Sequence, residues 1–325
     1  MMRKDTNIFY AKIMLFGEYS VINNSMALTI PYSHFNGELS FIFNDNYTDY
    51  DFAKQSNRKL YNFLGYLRKL KKQDNLDFNF DIDWFAKDLE KGLYFESTIP
   101  EGYGIGSSGA LIAALYEKYS LVYKNASEVN TQSMNALKNQ MATLESFYHG
   151  TSSGIDPLNA FIKKPLLFKG NGDVHVVEIN IPTHNPDFGV FLINSGRKGK
   201  TSPLVNIFLE KTAKNSKNGI DTEHLNNLTN NAIMSIIEGK NQTFFQSLSE
   251  LSAYQLEHFS PMIPDGFRTI WRKGLEDESY YMKLCGSGGG GFILGFTNDL
   301  PGTRKIMKKK DIEINPVYVH ELSEP

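Results

Sequence analysis

The sequence predicts an α+β fold divided between two domains, and three observations support that expectation. A chain of 325 residues is too long for one ordinary core, and its 41% hydrophobic and 13% aromatic content can fill two. Strand-like and helix-like segments are interspersed without the strict alternation of a doubly wound parallel sheet. Asn185-Pro186-Asp187 forms a turn-rich joint ahead of a buried apolar run, which sets expected domains at residues 1–185 and 186–325.

Residues 8–16 and 37–43 carry β-branched and aromatic side chains between turn formers and read as strands. Phe52 to Lys72 has helical spacing, with Leu60, Phe63, Leu64 and Leu67 on one face. Its basic residues Lys54, Arg58, Arg68, Lys69, Lys71 and Lys72 lie mostly off that face, as on a solvated helix. Partial alternation across Asp77 to Phe95 (Phe78, Phe80, Ile82, then Leu93, Phe95) predicts two strands. Helices are expected over 108–122 and 129–148, and a buried strand over Phe188–Asn194. Further helices follow near 202–215, 222–238, 241–258 and 264–274, with strands at 280–285, 291–296 and 315–320.

The charge balance, 34 basic against 36 acidic residues and a formal net charge of −2, provides no field for nucleic acid or an anionic membrane. A single cysteine, Cys285, excludes an internal disulfide and a cysteine-rich zinc site and fits a reducing compartment. The apolar patch Ile8–Phe16 is broken by Lys12 and followed by Gly17-Glu18 with no small-residue cleavage site, so it does not read as a signal peptide. No window reaches 18 uncharged apolar residues. A soluble, cytoplasmic protein, monomeric or homodimeric, is expected.

Three segments carry chemistry. Thr98 to Ala110 reads T-I-P-E-G-Y-G-I-G-S-S-G-A and runs into the helix-patterned Leu111–Leu115. Gly102, Gly104 and Gly106 permit positive φ and close backbone approach, and Ser107 and Ser108 sit where a helix begins. Orphan N–H groups, the helix dipole and two hydroxyls would converge there, which suits phosphate. Alone, the segment also reads as a glycine-rich turn with a serine N-cap. The second segment is Ala11–Val21, where Lys12 is embedded in an apolar run. If buried, it requires a carboxylate or phosphate; if not, it is a solvent-facing strand residue. The third is Glu145–Pro157, in which a helix bearing Glu145 ends at Gly150. Asp156 precedes Pro157, which disfavours helix at Asp156 and predicts a loop-borne carboxylate. Together these supply the parts of phosphoryl transfer. Amides hold phosphates, a serine and a carboxylate hold Mg²⁺, a carboxylate acts on an acceptor hydroxyl, and a cation offsets developing charge.

These segments, with Lys283–Phe292 (K-L-C-G-S-G-G-G-G-F), resemble the signature motifs of the GHMP kinase superfamily, and most of all its mevalonate kinases. The resemblance spans Lys12 to Phe292. It implies the GHMP kinase fold, with an N-terminal domain like ribosomal protein S5 domain 2, a ferredoxin-like C-terminal domain and an active site between them. It implies ATP and Mg²⁺ as cofactors and a small-molecule alcohol as substrate. Carried over by position, it implies Asp156 as catalytic carboxylate with Lys12 as its partner, and Ser108 and Glu145 as metal ligands. Pro100, Gly102, Gly104, Gly106, Ser107, Ser108 and Gly109 become ATP-binding. Glu18, Tyr19, Thr201, Gly286, Ser287 and Gly288 become substrate-binding. Three departures concern the acceptor: Tyr19 stands where the family usually has His, Asn23-Asn24 replaces a common Tyr-Gly turn, and Cys285-Gly286-Ser287 replaces Thr-Gly-Ala.

Two other motifs have formal matches elsewhere. Gly286–Gly291 matches G-x-G-x-x-G formally, but a strand pattern follows it, against a dinucleotide site. Asn194–Thr201 nearly spells a P-loop but has Asn194 in place of the first glycine. Its basic residues Arg197, Lys198 and Lys200 suit either a loop beside an anionic ligand or solvated surface.

Overall fold

The computed structural model describes residues 7–43, 48–123, 126–170, 172–179, 185, 187–199, 201–213 and 219–319. In chain order they form β1 (Phe9–Phe16), β2 (Ala27–Phe41), α1 (Tyr50–Lys72), α2 (Ile82–Glu90), β3 (Leu93–Ser97), α3 (Ser107–Tyr119), α4 (Thr131–His149) and α5 (Ile155–Ile162). Next come β4 (Leu166–Phe168), β5 (Val174–Val176), β6 (Gly189–Asn194), α6 (Thr201–Thr212), α7 (Thr222–Ile237), α8 (Asn241–His258) and α9 (Arg268–Glu276). The chain then runs through β7 (Tyr281–Leu284), β8 (Phe292–Thr297), α10 (Leu300–Lys308) and β9 (Ile314–Val319). The mixture is α+β, as expected. No helix among the described residues is long and apolar enough to cross a membrane.

The chain divides into two compact units built from interleaved segments. One comprises Met1–Lys12, Pro31–Pro100 and Gly106–Lys164; the other comprises Ile13–Ile30, Glu101–Ile105 and Pro165–Pro325. This division follows a different line from a single joint at residues 185–186, because β1 and β2 each contribute to both units.

In the first unit, β2 pairs antiparallel with β3, from Gly37↔Ser97 to Phe41↔Leu93. Helix α1 starts at Asp49, whose side chain accepts from Phe52 N at 3.0 Å, and buries Ala53, Leu60, Phe63, Leu64 and Leu67. Lys69, Lys71 and Lys72 in its last turn complement the helix dipole. The Asp77–Phe95 expectation requires correction. Only its second strand forms, as β3, while the first gives way to α2, capped by Asp81 onto Trp84 N at 2.8 Å. Ile82, Phe85 and Leu89 are buried along one helical face, and Phe80 makes only an isolated bridge to Ser120. The cap and the 3.6-residue period outweigh the short alternation. Strand β2 begins ten residues ahead of its expected start, running through Pro31.

The second unit holds a four-stranded antiparallel sheet in the order β7-β8-β6-β9. From β6 to β9 the elements follow a β-α-β-β-α-β pattern, with α6 to α9 filling the first crossover. This matches the ferredoxin-like arrangement that the resemblance implies. Strand β8 is buried along its whole length and β6 along all but its last residue, which explains their near-continuous apolar sequences.

Glycines within helices separate two opposing effects. Gly65 in α1 has no atom within 4 Å of an added Cβ, so Gly65→Ala should stabilise by up to ~1 kcal/mol through helix propensity. Gly109 in α3 would place its Cβ 2.7 Å from the Asp156 carbonyl carbon and 2.9 Å from Pro157 N. Overpacking there outweighs the same propensity gain, and Gly109→Ala should lower stability by ~1–3 kcal/mol. Paired thermal melts of the two variants should shift in opposite directions.

Candidate active site

The glycine loop leads into α3 without a side-chain cap. Its N-cap is Gly106, left-handed at φ 77° and ψ 39°, so Ser107 and Ser108 are the first two helical residues and the serine-cap reading is corrected. The first-turn amides are thus left without a side-chain acceptor, the condition that favours an anion at a helix start. Gly106 is fixed by crowding as well as by its φ. A Cβ there would lie 2.9 Å from Lys12 Cγ and 3.5 Å from Asp156 Oδ2.

Lys12 is 4% exposed in β1, and its ammonium lies 2.9 Å from Asp156 Oδ1. The paired reading of Lys12 therefore holds over the solvent-facing one. Asp156 is not on a loop: it is the second residue of α5, which follows Gly154 in left-handed conformation. Pro157 is tolerated because it occupies the first turn, where a missing N–H breaks no helical bond. The same first turn adds a positive dipole beside the Asp156 carboxylate.

Glu145, on α4, completes the cluster. Ser108 Oγ donates to Glu145 Oε1 at 3.0 Å, and Ser152 Oγ donates to Glu145 Oε2. Ser108 Oγ also lies 3.0 Å from His149 Nε2. Burial, reinforced by the negative Asp156, pushes the Glu145 carboxyl up to about 7, against the pull of the two serine hydrogen bonds and of Lys12.

In the second unit, Glu18 and Tyr19 follow β1 directly. Glu18 Oε1 lies 2.6 Å from Lys283 Nζ, and both side chains are buried. Tyr19 donates to the Ser287 carbonyl at 2.5 Å, with its ring packed 4.9 Å from that of Phe208 and 5.4 Å from that of Phe259. Burial, then the nearby Glu18, pushes the Tyr19 phenol well above its ordinary range. Three glycine-bearing stretches pack backbone to backbone here. Gly199 N donates to Gly102 O at 2.9 Å, Gly291 N to Arg197 O at 2.6 Å, and an added Cβ on Gly104 would lie 2.6 Å from Cys285 O. Of the expected substrate residues, Gly288 is buried while Gly286 and Ser287 are half-buried. Thr201 begins α6, but its side chain lies outside the described residues, as does Lys200. Lys198 is exposed, and its Cβ lies 3.3 Å from an added Cβ on Gly102.

Residues 63–163 match the family model described as the GHMP kinases N terminal domain. Solved structures align along nearly the whole chain. L. major mevalonate kinase in complex with R-mevalonate has a TM-score of 0.61 and 15% identity, covering 97% of this chain and 96% of that one. Streptococcus pneumoniae phosphomevalonate kinase with phosphomevalonate and AMPPNP has a TM-score of 0.60 and 14% identity, covering 97% and 100%. Lactococcus lactis galactokinase complexed with galactose has a TM-score of 0.64 and 15% identity, covering 98% and 94%. No curated protein matches the sequence. The chain has the GHMP kinase fold.

Within that fold, the sequence reading missed His149, Ser152 and Lys283. His149 stands four residues after Glu145, a spacing that puts both on one helix face, so the pair was detectable once the helix was placed. Lys283 carries the same signal as Lys12, a lone ammonium inside an apolar strand. Ser152 follows the helix end, and no periodic pattern marks it.

The raised Glu145 carboxyl has a signed consequence for stability. Its folded value lies above its unfolded one, so the folded chain holds a proton that the unfolded chain has released between about pH 4.5 and 7. Stability therefore falls as pH rises through that window, and the cost is complete above it. Without added cation, Glu145→Gln should be more stable than the parent at pH 8 by ~1–3 kcal/mol, and the gap should close toward pH 5. Denaturant titrations at the two pH values measure it.

Proposed function

We propose that this chain is an ATP- and Mg²⁺-dependent kinase of a small-molecule alcohol, with mevalonate as the first acceptor to test. The observation that carries the reading is the 2.9 Å Lys12–Asp156 pair beside the glycine-capped start of α3. A relative of the same fold solved with AMPPNP supports the nucleotide, and the mevalonate kinase-like motifs support the acceptor.

The donor set suits a hard cation. Ser108 Oγ and the Glu145 carboxylate are oxygen ligands in contact, and the buried Glu145 lacks sufficient compensating positive charge. Among the described residues no group of three or more His, Cys, Asp and Glu forms a closed cage. A shell completed by phosphate oxygens and water is the usual habit of Mg²⁺. When bound, the ion would neutralise phosphate charge.

In this reading the first-turn amides of α3 and the backbone of Gly102–Gly106 cradle the phosphates. Asp156 orients the acceptor hydroxyl and takes its proton, while Lys12 holds that carboxylate in place and offsets charge on the transferred group. Asp156→Asn, nearly isosteric, should lower kcat by ~10²- to 10⁴-fold with ATP affinity largely intact. Near-normal turnover in that variant rejects Asp156 as the base. Ser108→Ala should raise the Mg²⁺ concentration needed for half-maximal rate, and an unchanged Mg²⁺ dependence removes Ser108 from the metal shell. ADP release should be measured with mevalonate, phosphomevalonate, homoserine and galactose. ATP binding without turnover on any of them would instead favour a nucleotide-binding module.

A further inference from the structure

Two consecutive residues after β1 meet the end of β7 and the loop beyond it, Glu18 through the Lys283 ammonium and Tyr19 directly. Lys283 is fully buried, and its ammonium makes two 2.6 Å hydrogen bonds, to Glu18 Oε1 and to the carbonyl of Leu284. Leu284 ends β7 and so roots the glycine loop. An ammonium buried to this degree is prohibitively costly without a carboxylate. The second carboxylate oxygen of Glu18 is buried without a hydrogen-bond partner among the described residues, which leaves the ammonium as the contact that holds the carboxylate there. Three residues beyond Leu284, the Ser287 carbonyl accepts from Tyr19, whose ring is wedged against Phe208 and Phe259 and whose backbone is held at φ 64°.

The turn gripped between these points, Cys285-Gly286, abuts Gly104 of the first glycine loop. A Cβ added to Gly104 would lie 2.6 Å from Cys285 O, and one added to Gly286 would lie 3.0 Å from Gly104 Cα. Backbones packed this closely cannot slide independently, so the placement of Cys285-Gly286 sets the placement of Gly104.

We propose that Glu18, through Lys283, and Tyr19 form a two-point clamp on the 285–288 turn that positions the Gly102–Gly104 backbone for the nucleotide. They are positioning residues and not acceptor contacts, which departs from the substrate role that the resemblance implies for both. The proposal rests on the kinase reading for its ligand.

The test uses the full-length protein, ATP titrations in Mg²⁺ buffer, steady-state kinetics and thermal melts. Tyr19→Phe keeps the ring packing and loses the bond to Ser287. It should weaken ATP binding about three- to tenfold, leave acceptor KM within about twofold, and melt within a few degrees of the parent. A double variant, Glu18→Met with Lys283→Met, replaces the buried pair by apolar side chains, which such sites commonly tolerate. It should fold, because Leu284 keeps its β8 pairing and its amide bond to Gln255 Oε1, and show weakened ATP binding as well, because the Leu284 carbonyl loses the Lys283 ammonium. A rise in acceptor KM with ATP affinity unchanged would overturn the clamp in favour of direct substrate contact. Unchanged affinities with only a lower melting temperature would reduce both residues to packing. If the parent binds ATP but phosphorylates no acceptor, the kinase reading fails and the ATP titrations still judge the clamp. If the parent binds no ATP, both fall.

Discussion

A buried carboxylate is repelled by a second, half-buried one beside it, and the arrangement of Glu145 and Asp156 follows from relieving that repulsion. Lys12 supplies one positive charge from β1, and the hydroxyls of Ser108 and Ser152 supply hydrogen bonds to Glu145. The relief is incomplete, since the Glu145 carboxyl remains well above its usual range. A residual deficit of positive charge beside a helix start with no side-chain cap is the charge arrangement that the proposed cation and phosphates would relieve together. The fold tolerates this unfavourable charge because burial elsewhere in the unit is extensive.

Close approach imposes the accompanying constraint. Gly106 and Gly109 must lack side chains, or Lys12 and the start of α5 would be pushed away from α3. The second unit repeats the logic with other parts. Lys283 is an ammonium inside an apolar strand, Glu18 is its distant carboxylate, and glycines let three backbone stretches meet where a Cβ would collide. In both units a lone lysine in a hydrophobic run marks a place where segments far apart in sequence converge.

Much of the fold was legible from periodicity. Helix α1, helix α8 and strands β1, β6 and β8 lie within a few residues of their expected positions, because long apolar stripes and apolar runs dominate their energetics. The errors have identifiable causes. Pro157 disfavours helix at the preceding Asp156 in general, yet in the first turn of α5 a Pro is accommodated at little cost. Alternation over Phe78–Ile82 masked the capped helix beginning at Ile82. Helix α10, which the sequence expectations do not include, starts with Asp299 capping Gly302 N at 2.7 Å.

By itself the sequence determined which residue types could do chemistry: glycines before a helix, a serine and an acid for a cation, an aspartate, and a lysine that could not stay buried alone. That information is local, carried by propensity, spacing and the cost of desolvating charge. The family resemblance already implied Asp156 as the partner of Lys12, whereas tertiary structure alone decided that Glu18 would meet Lys283 and that Tyr19 would turn inward to a carbonyl. Those pairings join residues more than 140 positions apart. No local pattern encodes them, because only the packing of whole elements brings the charges within reach.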